Sequence, residues 1–321
     1  MSAGNPTLAT SASSPRRLPR LGVTRKRGSL WADVAGLSPA MVLYGVFIVV
    51  PVLFALVLSF TTWNVIGPLR WAGFANWSRF FSDPTAHHSL LVTLELAGAS
   101  WAVQTPIGMA LGLFVAGTQR YRSVFAGLYL LPLLLSTAGI ALMWQGVLTP
   151  NFGGVAWISI HMHLPLLNQN WLGSARLAFW VLVAVIAWQF IPFHMLLYQA
   201  GRRAIPPELY DAARVDGSTP AQAFRYVTVP QLRYTIATSS TLIVVGSLTY
   251  FDLIFILTNG GPGDATRVLS LDMYDTGFLS TTFGYASVLA VVLGVIGIAV
   301  AIFVIRATGF GSMESGREGI W

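Results

Sequence analysis

The chain has 321 residues, of which 55% are hydrophobic and only 10% charged, and its mean hydropathy is +0.66. Soluble domains carry roughly a quarter charged residues, so a water-soluble globular fold and large extramembrane domains are excluded in favour of a polytopic, all-α membrane bundle. The absence of cysteine removes disulfides, thiolate metal sites and cysteine nucleophiles together.

Residues 1–33 are rich in Ser, Pro and Arg and lack the apolar core of a signal peptide, so they are expected to form a disordered basic tail. About six transmembrane helices follow within one membrane domain, 34–306. The first runs from Gly36 to Trp63, with no charge between Asp33 and Arg70, and the second from Ser89 to Gly117. A third spans Ser123 to Leu148 and a fourth Leu177 to Ala200. After a polar central loop, 201–233, come a fifth, Tyr234 to Thr258, and a sixth, Phe283 to Ile305. Residues 307–321 form a short C-terminal tail.

Six crossings put both termini on one side of the membrane. All basic residues except Arg70, Arg79, Arg176 and Arg267 then fall on that side, with the central loop. Lys and Arg are retained in the cytoplasm, so both termini and the loop are expected there, in a cytoplasmic membrane. The formal charge of +7 follows from this bias and the basic tail, and no nucleic-acid partner is expected.

Pro51, Pro106, Pro132 and Pro192 lie inside the spans and should bend them. Gly108 and Gly112 form a GxxxG pair that allows two backbones to approach closely.

The central loop carries the strongest local signals. Pro206 and Pro207 suit a helix start, where proline loses no needed hydrogen bond, and Glu208 and Asp211 suit the positive end of the helix dipole. Gly217 falls where a left-handed residue would end that helix. Thr219, Pro220 and Gln222 read as a cap, a first-turn proline and a capping-box partner, and Pro230 as the stop of the second helix. Leu209, Ala212, Ala213 and Asp216 share one face, on which two alanines leave a shallow surface for a partner. Leu209 would anchor it, and Glu208 and Asp211 would pair with a partner's basic residues. An amphipathic helix lying on lipid headgroups is the competing reading.

Few polar residues are available for a path through the bundle. Asp252 lies near the outer end of span five, and Glu95 is placed a turn or two below the surface in span two; acids at membrane depth usually face a cavity or a partner. Trp144, Gln189, Tyr250 and Asn259 could line that path, with aromatic faces for stacking and amides for hydrogen bonding a solute. His87, His88, His161 and His163 lack acids or cysteines at ligand spacing, so no metal site is expected.

The stretch DAARVDGSTPAQAFRYVTVP, with Asp211, Ala212, Ala213, Gly217, Val227, Val229 and Pro230 in register, resembles the EAA loop of permeases of binding-protein-dependent ABC importers. Asp stands here for the family's Glu, and Val for its Ile and Leu. FDLIFILTNGGPGDAT (Phe251 to Thr266), LRWAGFANWSRFF (Leu69 to Phe81) and NWLG (Asn170 to Gly173) are similar to segments of maltose-type carbohydrate permeases. The resemblance implies a second homologous permease, two ATP-binding subunits, an extracytoplasmic solute-binding protein and a carbohydrate substrate. Glycerol phosphate or another polyol ester is the nearest alternative, and an ion-coupled carrier the alternative of another class.

It further implies that Glu208 to Pro230, with Tyr210 and Val227 among the contact residues, docks in a cleft of an ATP-binding subunit. Gly260, Gly261 and Pro262 would form an outer turn beside the binding protein. The chain itself is expected to be no enzyme and to hold no cofactor, since it lacks the phosphate loop GxxxxGK[ST]; ATP and Mg would be used by the partner.

Overall fold

A computed structural model describes residues 29–308, so the tails expected at 1–28 and 309–321 lie outside the described residues. The chain divides into two units, Met1–Pro51 and Val52–Trp321. In the first, α1 (Ser29–Tyr44) begins inside the segment assigned above to the tail and runs into a π-turn, Gly45–Val49. That wider turn lies just ahead of Pro51, whose ring would otherwise press on the carbonyl four residues back. Helix α2 (Val50–Leu58) carries the chain into the second unit, and Ala35–Leu58 is long and apolar enough to cross a membrane.

Beyond α2 the chain makes a two-stranded antiparallel sheet, β1 (Thr61–Thr62) and β2 (Arg70–Trp71), and a short helix α3 (Ala75–Ser82). Asn76 fastens α3 to this hairpin by donating to the carbonyls of Ser59 (3.1 Å) and Thr61 (2.8 Å). Asp83 then caps α4 (Pro84–Val115), accepting from the Thr85 and Ala86 amides. Next come α5 (Arg120–Tyr129), α6 (Leu131–Leu134), α7 (Thr137–Leu148), α8 (Gly154–His161) and the long α9 (Ala175–Arg203).

The GxxxG pair does what its spacing predicts. A Cβ on Gly108 would lie 3.1 Å from that of His194, and one on Gly112 would lie 2.5 Å from that of Tyr198. Helices α4 and α9 therefore run in the same direction with touching backbones, and they form the most extensive helix pair. Pro106 and Pro192 are accommodated inside these two helices.

The central loop comprises α10 (Pro207–Val215) and α11 (Pro220–Ala223), followed by a π-turn, Phe224–Thr228, and α12 (Val229–Gln231). After it come α13 (Arg233–Leu248), α14 (Asp252–Leu257), α15 (Leu269–Tyr274) and α16 (Phe283–Thr308). Among the described residues, Pro84–Val115, Ala175–Arg203 and Phe283–Val304 join Ala35–Leu58 as single-helix spans.

The remaining two expected spans are interrupted. The third bends by 97° between Arg120–Leu134 and Thr137–Leu148. The fifth stops at Leu248: the 16 residues of α13 rise only about 24 Å, short of a hydrocarbon core of roughly 30 Å. Its break at Thr249–Phe251 leaves a free carbonyl on Tyr250, which Ser270 satisfies at 2.8 Å. The main apolar core joins Val92 and Leu96 of α4, Ile140 of α7, Leu182 and Ile186 of α9, and Leu253, Ile254 and Leu257 of α14.

Candidate functional site: the central loop and the polar residues of the bundle

The turn between α10 and α11 is built from backbone. The Gly217 amide donates to Arg214 (3.1 Å) and the Ser218 amide to Ala213 (2.9 Å), with Gly217 at φ +74°. These paired bonds close the end of α10 and need the left-handed conformation glycine adopts without strain. No atom lies within 4 Å of where a Gly217 Cβ would sit, so the requirement is conformational and not one of space. The capping box is present: the Thr219 amide donates to Gln222 Oε1 (2.7 Å) and the Gln222 amide to Thr219 Oγ1 (3.3 Å).

Pro230 does not stop the second arm. The Phe224–Thr228 π-turn shifts the hydrogen-bond register ahead of it, and the chain stays helical into α12, with Leu232 donating to Thr228 at 3.0 Å. The expected stop thus becomes a join to α13.

The residues expected to make one contact face are divided. Glu208, Leu209, Asp211, Ala212, Asp216 and Gly217 are exposed. Ala213 is buried, 9% exposed, and Val227 is half-buried, so the shallow surface rests on Ala212 without its neighbour. Tyr210 is turned to the root of the loop, where it packs with Tyr198, Ile205 and Leu232. Its hydroxyl bonds Thr228 Oγ1 at 2.9 Å and its ring lies 4.0 Å beneath the Arg202 guanidinium. Tyr210 therefore ties both arms of the loop to the ends of α9 and α13. Asp211 pairs with Arg214 at 3.2 Å, with both side chains more than half exposed, a bond worth at most about 1 kcal/mol and easily exchanged.

Sequence reasoning missed Val215, Phe224 and Tyr226, which stand 87%, 40% and 70% exposed on the same loop. These three large apolar side chains face outward, while Tyr210 and Ala213 fill the inner side of the loop.

The polar candidates of the bundle also separate. Gln189 is 3% exposed and donates to Thr137 Oγ1 (3.2 Å), while its Oε1 has no partner. Trp144 meets Trp188 edge to face, with its ring nitrogen unpartnered, and Tyr250 stacks on Phe190 at 5.5 Å. Asp252, at the first turn of α14, and Asn259 are exposed. Glu95 is exposed as well, about 16 Å along α4 from Pro84. Gln104, which sequence reasoning passed over, is fully buried with both amide atoms unpartnered.

On the other side of the bundle, Gly260 is buried, Gly261 and Pro262 are half-buried, and the exposed tip of the turn is Gly263–Asp264. Gly260 takes φ +82°, and the turn is closed by Thr266 through bonds to Thr258 and Gly261. Arg267 holds Asp272 and Asp275, both at 2.9 Å. Burial pushes the Asp272 carboxyl up, against the pull of the Arg267 hydrogen bond and charge.

The architecture is that of a multi-pass helical membrane protein with a structured polar loop between α9 and α13. The family model described as the binding-protein-dependent transport system inner membrane component matches residues 105–308. A probable ABC transporter permease of Pyrococcus horikoshii is 32% identical over 80% of this chain and 88% of its own length. The trehalose/maltose transport system permease of Thermococcus litoralis is also 32% identical, over 73% of this chain and 79% of its own. The crystal structure of a bacterial ABC transporter involved in alginate import shares the fold, with a TM-score of 0.76 at 23% identity, covering 87% of this chain and 98% of that one. The chain belongs to the family of binding-protein-dependent transport system inner membrane components. It is a membrane permease subunit of an ABC importer.

Proposed function

We propose that this permease translocates a sugar or oligosaccharide, together with a second homologous permease, two ATP-binding subunits and an extracytoplasmic solute-binding protein. The sugar assignment is supported by the trehalose/maltose relative and by the Phe251–Thr266 segment. Both termini and the loop from Pro207 to Thr228 face the cytoplasm, as the basic-residue bias requires. ATP and Mg are consumed by the partner, and this chain hydrolyses nothing.

One observation carries the coupling role. The loop is self-contained, closed by its glycine turn and capping box, and rooted through Tyr210 on two membrane helices, while Leu209, Ala212, Asp216, Phe224 and Tyr226 point away from it. Such a knuckle transmits displacement instead of absorbing it. Glu208 and Asp211 supply charges for a partner's basic residues, and Gly217 fixes the angle between the arms. Glu95 and Asp252, exposed on the permease surface, are costly against lipid and therefore face the shared path or the second permease. Tyr250, Asn259, Trp144 and Gln189 complete the sugar-facing set.

Reconstitution with the partner subunits tests this reading. Uptake of labelled maltose or trehalose should require ATP on the loop side and the binding protein on the other, and should persist when proton and sodium gradients are collapsed. Gradient-driven uptake without ATP would overturn it.

A further inference from the structure

A second site lies at the opposite end of the bundle from the central loop. A cavity of about 380 Å³ opens between the β1–β2 hairpin, α3 and the start of α16, and Trp63, Asn64, Arg70, Asn76, Arg79 and Tyr285 are among its lining residues. Three candidate spans end or begin here, at Leu58, Pro84 and Phe283, so the cavity lies at the ends of candidate membrane helices, where lipid headgroups come within reach.

Its lining is basic, with Asp83 behind it as the acid that feels the Arg79 charge. Arg70 and Arg79 are exposed, and among the described residues neither guanidinium has an ion pair or a hydrogen bond; Arg79 lies 4.0 Å over the Tyr285 ring. The neighbouring acid, Asp83, is already engaged by the Tyr285 hydroxyl (2.7 Å) and by the Thr85 and Ala86 amides. No carboxylate lines the cavity. Independently, the first turn of α16 supplies donors. Phe283 donates to Trp63 at 3.1 Å and Ala286 to Thr282, but the amides of Gly284 and Tyr285, both lining residues, have no acceptor among the described residues. The hairpin backbone presses so closely on Gly284 that a Cβ there would collide with the Thr61 carbonyl. Two guanidinium groups and two free amides at the positive end of a 26-residue helix thus converge on one polar cavity.

We propose that this cavity binds a phosphate group, held by Arg70 and Arg79 and by the Gly284 and Tyr285 amides. Its place at the span ends favours the headgroup of an anionic phospholipid, with the half-buried Trp63 ring beside the glycerol; a soluble phosphate ester would present the same chemistry.

The full transporter in nanodiscs distinguishes these sources. Native mass spectrometry of the complex, titrated with phosphatidylglycerol against phosphatidylcholine, should show preferential retention of phosphatidylglycerol that weakens about tenfold in the Arg70→Gln/Arg79→Gln double variant, the loss of one to two charge-assisted hydrogen bonds. Arg70→Lys/Arg79→Lys should recover part of it, and Arg176→Gln, outside the cavity, should retain it fully. In phosphatidylcholine-only nanodiscs, calorimetric titration with glycerol 3-phosphate tests the soluble source: binding that both glutamines abolish assigns the site to a phosphate ester, and its absence beside arginine-dependent lipid retention assigns it to the headgroup. The proposal is overturned if the double variant binds both phosphate probes as the unsubstituted protein does. It is equally overturned if the double variant weakens only docking of the solute-binding protein, which would make the cavity a receptor for a protein carboxylate.

Discussion

The central loop, Pro207–Thr228, and the opposite loop, Thr258–Thr282, are both polar segments held in one shape, but by different means. The central loop is fixed by bonds between near neighbours: Gly217 to Arg214, Ser218 to Ala213, Thr219 with Gln222, and Tyr210 to Thr228. The opposite loop is fixed to the bundle. Thr93 of α4 accepts from the Leu269 amide at 2.8 Å, His88 contacts the Asp264 carbonyl at 3.1 Å, and Arg267 gathers two partly buried acids. A locally closed segment with one rooted residue moves as a unit with the helices that carry it, whereas a segment stitched to α4 moves only if α4 moves. The first arrangement suits a transmitter and the second a fixed rim.

The largest expected effect breaks the fixed rim. Arg267→Leu leaves Asp272 buried without its counter-charge, which should cost about 3–5 kcal/mol and abolish accumulation of the folded subunit in membranes. Asp272→Asn should cost much less, because Arg267 keeps Asp275; thermal denaturation in detergent compares the two.

Tyr210→Ala comes next. It removes a ring from the root of the central loop and should cost about 2–4 kcal/mol, with loss of transport while the permease pair still assembles. Tyr210→Phe, which loses only the Thr228 bond, should cost about 1 kcal/mol and raise amide exchange across 207–228.

Gly217→Val tests the transmitter with little change in stability. Space is open around it, so the cost is the positive φ alone, about 1–2 kcal/mol, enough to reset the angle between the arms. Transport should fall to background in proteoliposomes while the ATP-binding subunits lose their stimulation by loaded binding protein, and Gly217→Asn should retain most of both. The smallest effect is expected of Gln222→Ala, about 0.5–1 kcal/mol from half of a capping box, visible as earlier fraying of α11 in amide exchange with transport nearly unchanged.

These contrasts also explain what the sequence could and could not reveal. Gly217, Thr219 and Gln222 were legible because their partners lie within a few residues, and Gly108 with Gly112 because spacing alone sets a close helix approach. Ala213 is buried and not outward, because helical spacing gives the shared face of α10 without saying which edge of it turns inward. Pro230 was read as a stop because nothing local announces the π-turn that accommodates it. The break after Leu248 was hidden because Tyr250 to Leu257 is as apolar as the span before it, and its freed carbonyl is satisfied by Ser270, twenty residues on. The same distance in sequence concealed the Arg267 network and the cavity between Arg70 and the start of α16.

The central claim is that the exposed side of the Pro207–Thr228 knuckle seats in an ATP-binding subunit. Because the chain contains no cysteine, Ala212→Cys provides a unique label, and a short thiol cross-linker in the assembled transporter tests the claim directly. The account predicts a covalent adduct with the ATP-binding subunit and protection of that position from a membrane-impermeant thiol reagent added outside the cell. Labelling from outside, or an assembled and active transporter that gives no adduct from Ala212→Cys, Leu209→Cys or Phe224→Cys, would contradict it.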